Sequence, residues 1–85
     1  MEIALHEDAK LDFEYWSKSG NKAIQKKIQQ LFVDMKAHPF EGLGKPERLK
    51  YALSGKWSRR INDEHRIVYD VEGDFINVYS LRGHY

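Results

Sequence analysis

One amphipathic segment in the first half of the chain constrains the fold most strongly. Apolar side chains recur at helical spacing from Ile24 to Met35, and lysines and glutamines occupy the opposite side. Asn21 can cap the start of this helix, and His38-Pro39 ends it because the residue before a proline disfavours helical geometry. A helix with such a stripe is stable only against another layer, so the rest of the chain must supply that layer.

A second helix precedes this segment. Glu2 to Leu5 is a short extended start, and the acidic pair Glu7-Asp8 suits the positive end of a helix dipole. Ala9, Phe13 and Trp16 then follow at i, i+4, i+7 spacing, which predicts a helix over about 7–18.

The apolar period changes to two in the second half of the chain. After a loop from Pro39 to Leu49, β-branched and aromatic residues dominate three segments, 57–62, 65–72 and 75–82, which turn residues separate. The sequence therefore predicts an α+β fold, with two N-terminal helices packed on a small, twisted antiparallel sheet of three or four strands.

Length and composition limit the class of protein further. The chain has 85 residues and no cysteine, so we expect a single domain over 1–85 without disulfides, thiolate chemistry or zinc ribbons. The N-terminal segment lacks the regions of a signal peptide, and no apolar run approaches the roughly 20 residues that span a bilayer. These features predict a soluble, cytoplasmic protein with no membrane partner.

The charge distribution is more informative than the net charge of +1. The segment from Lys45 to Arg66 contains seven basic and three acidic residues, and the aromatic residues Tyr51 and Trp57 lie within it. A basic segment with interleaved aromatic rings indicates an anionic partner, most commonly nucleic acid. A solvated basic face without a partner is the alternative.

Established cofactor and metal motifs are missing from the sequence. The four histidines lie far apart, and there is no Gly-rich phosphate loop and no Gly-x-Ser-x-Gly. Asp63-Glu64-His65 is more typical of a turn than of a metal site. We therefore expect neither a metal nor a cofactor.

Three residues from separate segments remain as a candidate catalytic set: Glu47, Arg66 and His84. Metal-free RNA cleavage needs a base for the ribose 2′-hydroxyl, a cation for the phosphorane and an acid for the 5′-oxygen. A carboxylate, a guanidinium and an imidazole can supply these roles. Each residue also has a structural alternative: Glu47 as a cap or a partner of Arg48, Arg66 as a cross-strand partner, and His84 as a frayed tail.

Essentially the whole chain resembles a known family, and the resemblance is densest from Pro39 onward. The segments that carry the resemblance are FEGLGKPERLK (40–50), LSGKWSRRI (53–61), EHRIVY (64–69) and the final His84-Tyr85. Together they are similar to the YoeB toxins of the RelE superfamily. The resemblance implies a microbial-ribonuclease-like fold and cleavage of mRNA in the A site of the 70S ribosome. It also implies neutralisation by a YefM-type antitoxin, with a homodimer left open.

The resemblance also implies roles for individual positions. It places a general base at Glu47, a transition-state arginine at Arg66 and a general acid at His84. Gly83 departs from the family pattern, in which this position often carries a bulky aromatic residue. Three further positions are implied to hold the RNA: Lys50, Arg60 and Tyr85.

Two other functions fit the same sequence. A non-catalytic nucleic-acid-binding module would need the basic segment but neither Glu47 nor His84. A toxin that has lost activity would retain only its antitoxin-binding role.

Overall fold

A computed structural model describes residues 1–83, and the polypeptide in this range forms two α-helices and a five-stranded sheet. The elements in chain order are β1 (Glu2–Leu5), α1 (Glu7–Lys18), α2 (Lys22–Ala37), β2 (Glu47–Arg48), β3 (Trp57–Arg60), β4 (Arg66–Glu72) and β5 (Phe75–Ser80). The sheet order is β1-β5-β4-β3-β2. A short 3₁₀ helix, Tyr51–Leu53, lies between β2 and β3.

Both helices begin and end where the sequence predicts. The side chain of Asn21 accepts a hydrogen bond from the backbone N–H of Ile24 at 3.1 Å, which caps α2. At the other end the N–H of His38 donates to the carbonyl of Asp34 at 2.7 Å, directly before Pro39. The boundaries of the helices are therefore determined by residues at their own ends, such as the Asn21 cap and Pro39.

The apolar stripe of α2 packs against one face of the sheet, as expected. Its buried side chains form one core with those of α1 and the sheet. Phe13 of α1 belongs to the apolar stripe that the sequence predicts, but its side chain remains 40% exposed. The core residues are Ala9, Trp16, Ile24, Ile28, Leu31, Met35, Ile61, Ile67, Tyr69, Ile76, Val78 and Leu81. This arrangement leaves the opposite face of the sheet without a helical layer.

The α+β class is confirmed, and the sheet differs from the prediction at its two edges. β2 to β5 are antiparallel neighbours, but β1 pairs in parallel with β5, so the sheet is mixed. Glu2 pairs with Phe75 and Leu5 with Val78. The local sequence pattern does not predict this pairing, because the two strands are far apart in the chain. At the other edge, Glu47–Arg48 forms a short strand inside the segment expected to be loop.

Arg59 belongs to the core and not to the basic surface that the charge distribution predicts. Its side chain is fully buried, and each of its five N–H donors has an acceptor. Nη1 donates to Asp34 Oδ2 at 2.6 Å. The other acceptors are Tyr69 Oη and the backbone carbonyls of His38, Glu41 and Leu43. Burial of this cation is tolerated because its hydrogen-bonding capacity is completely satisfied.

The loop between α2 and β2 lies directly against the core at Gly44. Its φ is +82°, and an added Cβ would come within 2.8 Å of Leu31 Cδ2 and 3.1 Å of the Arg60 carbonyl oxygen. The same residue accepts a hydrogen bond from the N–H of Arg60 at 2.7 Å. Only glycine permits both this conformation and this approach.

We expect the Arg59–Asp34 pair to make stability depend on acidic pH. The Arg59 guanidinium, and next the N–H of Leu43, lower the pKa of Asp34. This stabilisation is therefore complete above the unfolded pKa of about 3.9 and is lost as pH falls through the lower folded value. In Asp34→Asn we expect that acid-dependent component to vanish and the free energy of unfolding near neutral pH to fall by about 1–3 kcal/mol.

Urea unfolding of both proteins at neutral and acidic pH measures this effect. Glu14→Gln is the matched control, because Glu14 and Lys18 form an exposed ion pair at 2.7 Å that also lowers a carboxyl pKa. The control should match the wild type. An unchanged pH profile in Asp34→Asn would show that the buried pair does not stabilise the fold.

Candidate functional site

The sheet face that the helices leave uncovered carries two of the candidate catalytic residues, Glu47 and Arg66. In the register, Glu47 pairs with Ser58, and Arg60 pairs with Arg66. Directly paired residues project to the same face of a sheet, and so do residues two apart along a strand. β2, β3 and β4 therefore bring Glu47, Arg60 and Arg66 to one surface, opposite the face that holds Ile67 and the other core residues.

Glu47 and Arg66 form the centre of this surface. Arg66 Nη1 lies 3.6 Å from Glu47 Oε2, which is an ion-pair distance but too long for a strong hydrogen bond. The Glu47 side chain is 68% exposed and that of Arg66 is 26% exposed. A ligand can therefore reach the carboxylate from solvent, while the sheet restricts the orientation of the guanidinium.

Two further cations are less restrained than Arg66: Arg60 is its cross-strand neighbour, and Lys50 lines a small pocket together with Glu47. Arg60 Nη2 is 2.7 Å from Asp63 Oδ1, in an ion pair whose acid is almost fully exposed. Such a pair is worth about 0–1 kcal/mol, so an incoming phosphate can compete for the guanidinium. Lys50 is exposed and directly precedes the 3₁₀ helix Tyr51–Leu53.

A groove of about 590 Å³ runs beside the site, and its lining includes Lys50, Tyr51, Lys56 and Trp57. Tyr51 is 92% exposed and has a φ of 58°. This conformation is uncommon for a side-chain-bearing residue and presents a large ring to solvent next to cations. An exposed aromatic ring in a basic groove suits stacking on a nucleic-acid base.

The floor of the site is made of small or apolar residues and one phenol. Ser58 and Val68 are buried, and Ser58 Oγ has no hydrogen-bond partner within residues 1–83. Tyr79 donates from its hydroxyl to Asp70 Oδ2 at 2.8 Å, and Lys56 Nζ lies 4.8 Å from the centre of its ring. Burial, and then this hydrogen bond, raise the pKa of Tyr79 to about 12. Tyr79 is therefore a neutral phenol and does not supply a base.

The segment after β5 passes close to Arg66. The backbone N–H of Arg66 donates to the carbonyl of Gly83 at 2.8 Å, across the start of β4. His84 and Tyr85, which the sequence predicts as general acid and RNA-contacting ring, lie outside the described residues. Of the residues predicted from sequence, the structure thus brings together Glu47, Arg60 and Arg66.

Sequence reasoning treated His65 as part of a turn and did not identify its contact with the segment after β5. Nδ1 of His65 accepts a hydrogen bond from the N–H of Gly83 at 2.9 Å. The sequence feature that could have drawn attention to His65 is its position directly before Arg66 in the EHRIVY segment. Within the described residues no three His, Cys, Asp or Glu side chains cluster as metal ligands, and no helix is long and apolar enough to cross a membrane.

Comparison with known proteins identifies the family. The family model described as "YoeB-like toxin of bacterial type II toxin-antitoxin system" matches residues 5–85. The chain belongs to the YoeB toxin family. This result confirms the resemblance drawn from segments 40–50, 53–61 and 64–69.

Individual relatives agree with the family match over the whole chain. Toxin YoeB of Escherichia coli (strain K12) is 47% identical over 85 residues, which is all of both chains. A YoeB dimer from Staphylococcus aureus superposes with a TM-score of 0.90 at 40% identity, covering 100% of this chain and 98% of that one. A YoeB-YefM complex from the same organism gives a TM-score of 0.88 at 42% identity, covering 98% and 95%. This YoeB-family toxin therefore shares both sequence and fold with its relatives.

The buried hydroxyl of Ser58, which has no hydrogen-bond partner among residues 1–83, leads to a stability prediction for the site of this YoeB-family toxin. Removing a buried polar group that lacks a partner relieves its desolvation cost, so Ser58→Ala should raise the free energy of unfolding by roughly 1 kcal/mol. Urea denaturation measures the change. Exposed Ser54 provides the control, because Ser54→Ala should stay within about 0.5 kcal/mol of the wild type. Destabilisation by Ser58→Ala would mean that the hydroxyl does have a partner.

Proposed function

We propose that this YoeB-family toxin is a metal-independent endoribonuclease that cleaves mRNA in the A site of the 70S ribosome and so inhibits translation. The observation that carries this proposal is the pairing of an exposed carboxylate, Glu47, with a half-buried guanidinium, Arg66, at 3.6 Å on an open face. A base next to a phosphate-binding cation is the minimum that attack by a ribose hydroxyl requires. The whole chain, residues 1–85, acts as one toxin domain in this proposal.

In the proposed reaction, Glu47 removes the proton of the 2′-hydroxyl and the 2′-oxygen attacks the adjacent phosphorus. Arg66 stabilises the negative charge of the pentacoordinate phosphate. The bond from phosphorus to the 5′-oxygen breaks, and His84 gives that oxygen a proton. The products are a 2′,3′-cyclic phosphate, or a 3′-phosphate after hydrolysis, and a 5′-hydroxyl end. This sequence of steps requires no cofactor.

Binding of the RNA is proposed to involve the cations and rings around this centre. Lys50 is exposed beside the groove, and Arg60 is restrained only by its exposed pair with Asp63. Both can contact backbone phosphates, which supply most of the affinity for nucleic acid. Tyr85 is proposed to stack beside the scissile nucleotide.

The ribosome is proposed to supply the positioning that the toxin lacks. The open face presents few groups to a flexible single strand. Holding reactants in place can lower a barrier by roughly 7–11 kcal/mol in favourable cases. A message held in the A site would therefore be a much better substrate than free RNA.

The partner and location follow from the same proposal. A YefM-type antitoxin is proposed to neutralise the toxin, supported by the YoeB-YefM complex from Staphylococcus aureus. The YoeB dimer from that organism supports a homodimer. An mRNA target places the protein in the cytoplasm. A non-catalytic nucleic-acid-binding protein and an inactive toxin are the alternatives that the experiment must exclude.

Inducible expression with mapping of 5′ ends tests the activity. We expect the wild type to produce new 5′-hydroxyl ends in translated messages, and Glu47→Gln to produce none, because it cannot accept the proton. Repeating the assay on untranslated or naked RNA should reduce cleavage strongly. Equal cleavage of free and ribosome-bound RNA would contradict the role of the ribosome, and absence of new ends with the wild type would favour the alternatives.

Arg66→Lys separates charge from geometry at the phosphate. Lysine keeps the positive charge but loses the planar fork that can hold two phosphate oxygens. Loss of a preorganised donor typically costs about 10²–10³ in rate, so we expect a decrease of this size with ribosome binding retained. Single-turnover cleavage and ribosome pelleting measure the two effects.

Arg82→Lys is the matched control for that variant, because Arg82 is exposed and its guanidinium lies 4.0 Å from the ring centre of Tyr15 on α1. It should cleave at the rate of the wild type. If Arg66→Lys cleaves at the rate of the wild type, Arg66 has only a structural role, as the partner of Glu47 in a cross-strand ion pair.

A further inference from the structure

The turn between β2 and β3 carries the most exposed of the large hydrophobic side chains. Tyr51 is 92% exposed, and its ring stacks on no aromatic or cationic group of residues 1–83. Trp57, which lines the same groove, differs in this respect. Its ring packs on Phe40 at 4.9 Å between centroids, and the guanidinium of Arg48 lies 5.5 Å from its centre. Tyr51 therefore presents a bare ring to solvent.

The backbone holds Tyr51 in a conformation that side-chain-bearing residues rarely adopt. Its φ of 58° lies in the left-handed region, where glycine and asparagine are more common. The turn around it is closed by hydrogen bonds from the N–H of Leu49 to the carbonyl of Lys56 at 2.9 Å and from the N–H of Ser54 to the carbonyl of Tyr51 at 3.0 Å. Such strain is typical of ligand-binding segments. The stability of the turn does not explain a tyrosine at this position.

The groove beside Tyr51 is positively charged throughout. Its lining, in a volume of about 590 Å³, contains three cations, Arg48, Lys50 and Lys56, and no acidic residue. Two of these cations lie against rings: Arg48 on Trp57, and Lys56 Nζ at 4.8 Å from the ring centre of Tyr79. A polyanion in this groove would therefore meet oriented cations and no carboxylate.

The groove adjoins the candidate catalytic centre. Residues 48–51 line both this groove and a smaller pocket of about 290 Å³, whose wall includes Glu47. Glu47 Oε2 is in turn 3.6 Å from Arg66 Nη1. A polyanionic strand with one phosphate at Arg66 can therefore continue past Tyr51 into the groove.

We propose that this groove is a subsite for single-stranded RNA, in which Tyr51 stacks on an unpaired base near the scissile bond and Lys56 contacts the phosphate backbone. The inference rests on the proposed function, because it takes Glu47 and Arg66 as the place where RNA is cut. Stacking accepts every base, so the subsite adds affinity without reading sequence. An acidic peptide would pair with the cations but would not need a bare ring held in a strained conformation.

Two substitutions of Tyr51 separate its ring from its backbone. Tyr51→Asn removes the ring and suits the left-handed conformation, and Tyr51→Phe keeps the ring. Made in a Glu47→Gln protein to prevent cleavage, Tyr51→Asn should weaken binding of a short single-stranded RNA about 5-fold to 100-fold, while Tyr51→Phe should bind like the parent. Fluorescence anisotropy at low salt measures both. The matched control is Phe75→Asn, which removes a 47% exposed ring on β5 outside the groove and should not alter binding.

An RNA of the same length without bases shows whether the ring contacts a base. Tyr51→Asn should bind this abasic RNA as tightly as the parent does. Lys56→Gln should weaken both RNAs equally, and the slope of log affinity against log salt should fall by about 0.7. If Tyr51→Asn loses affinity for both RNAs equally, or if Tyr51→Phe binds as weakly as Tyr51→Asn, stacking is wrong. Urea unfolding should give Tyr51→Asn at least the stability of the parent, which excludes loss of the fold as the cause.

Cleavage of translated messages distinguishes failure of the subsite from failure of the proposed function. If Tyr51→Asn weakens RNA binding as expected and the wild type produces no new 5′ ends, the subsite stands and the proposed activity fails. If the wild type cleaves and Tyr51→Asn binds and cleaves equally well, the subsite is overturned and the activity stands.

Two further results would overturn the subsite. One is failure of the Glu47→Gln protein to bind the single strand at low salt. The other is a loss of affinity in Tyr51→Asn for a poly-glutamate peptide but not for RNA, which would assign the groove to an acidic protein segment.

Discussion

The buried guanidinium of Arg59 determines how the polypeptide between α2 and β2 lies on the sheet. A guanidinium without acceptors cannot be buried at acceptable cost, and here most of the acceptors belong to one loop, through the carbonyls of His38, Glu41 and Leu43. The loop between α2 and β2 therefore wraps around the Arg59 side chain. Gly44 follows at once and bonds to the backbone of Arg60, which aligns the loop with β3. The short strand that carries Glu47 begins from that alignment.

Adjacent arginines acquire opposite roles because β3 alternates between the two faces of the sheet. Arg59 points into the helical layer and Arg60 to the open face, where Arg66 is its cross-strand partner. One cation stabilises the fold and the others are available to a ligand. The basic face of the toxin is consequently smaller than the sequence suggests, and of its remaining cations Arg66 lies 3.6 Å from Glu47.

The sequence alone predicted most of the fold, and it named Glu47 and Arg66 as candidate site residues. Local signals, such as the Asn21 cap, determine both helices. The parallel pairing of β1 with β5 and the burial of Arg59 were missed, since both depend on residues distant in sequence. Glu47 and Arg66, which the sequence placed in one candidate set, lie 3.6 Å apart in the structure. The contact of His65 with Gly83 was not predictable, because it depends on the course of the chain after β5.

The helical layer contributes to the geometry of the site without supplying a residue to its open face. On one side, α2 provides Asp34 to Arg59, and through Arg59 it fixes the loop that leads to Glu47. On the other, α1 provides Trp16, whose ring packs on His65. The open face thus consists of short segments, each restrained from beneath. A substitution in either helix that disturbs these contacts should alter the site before it unfolds the domain, because the segments have little ladder pairing of their own.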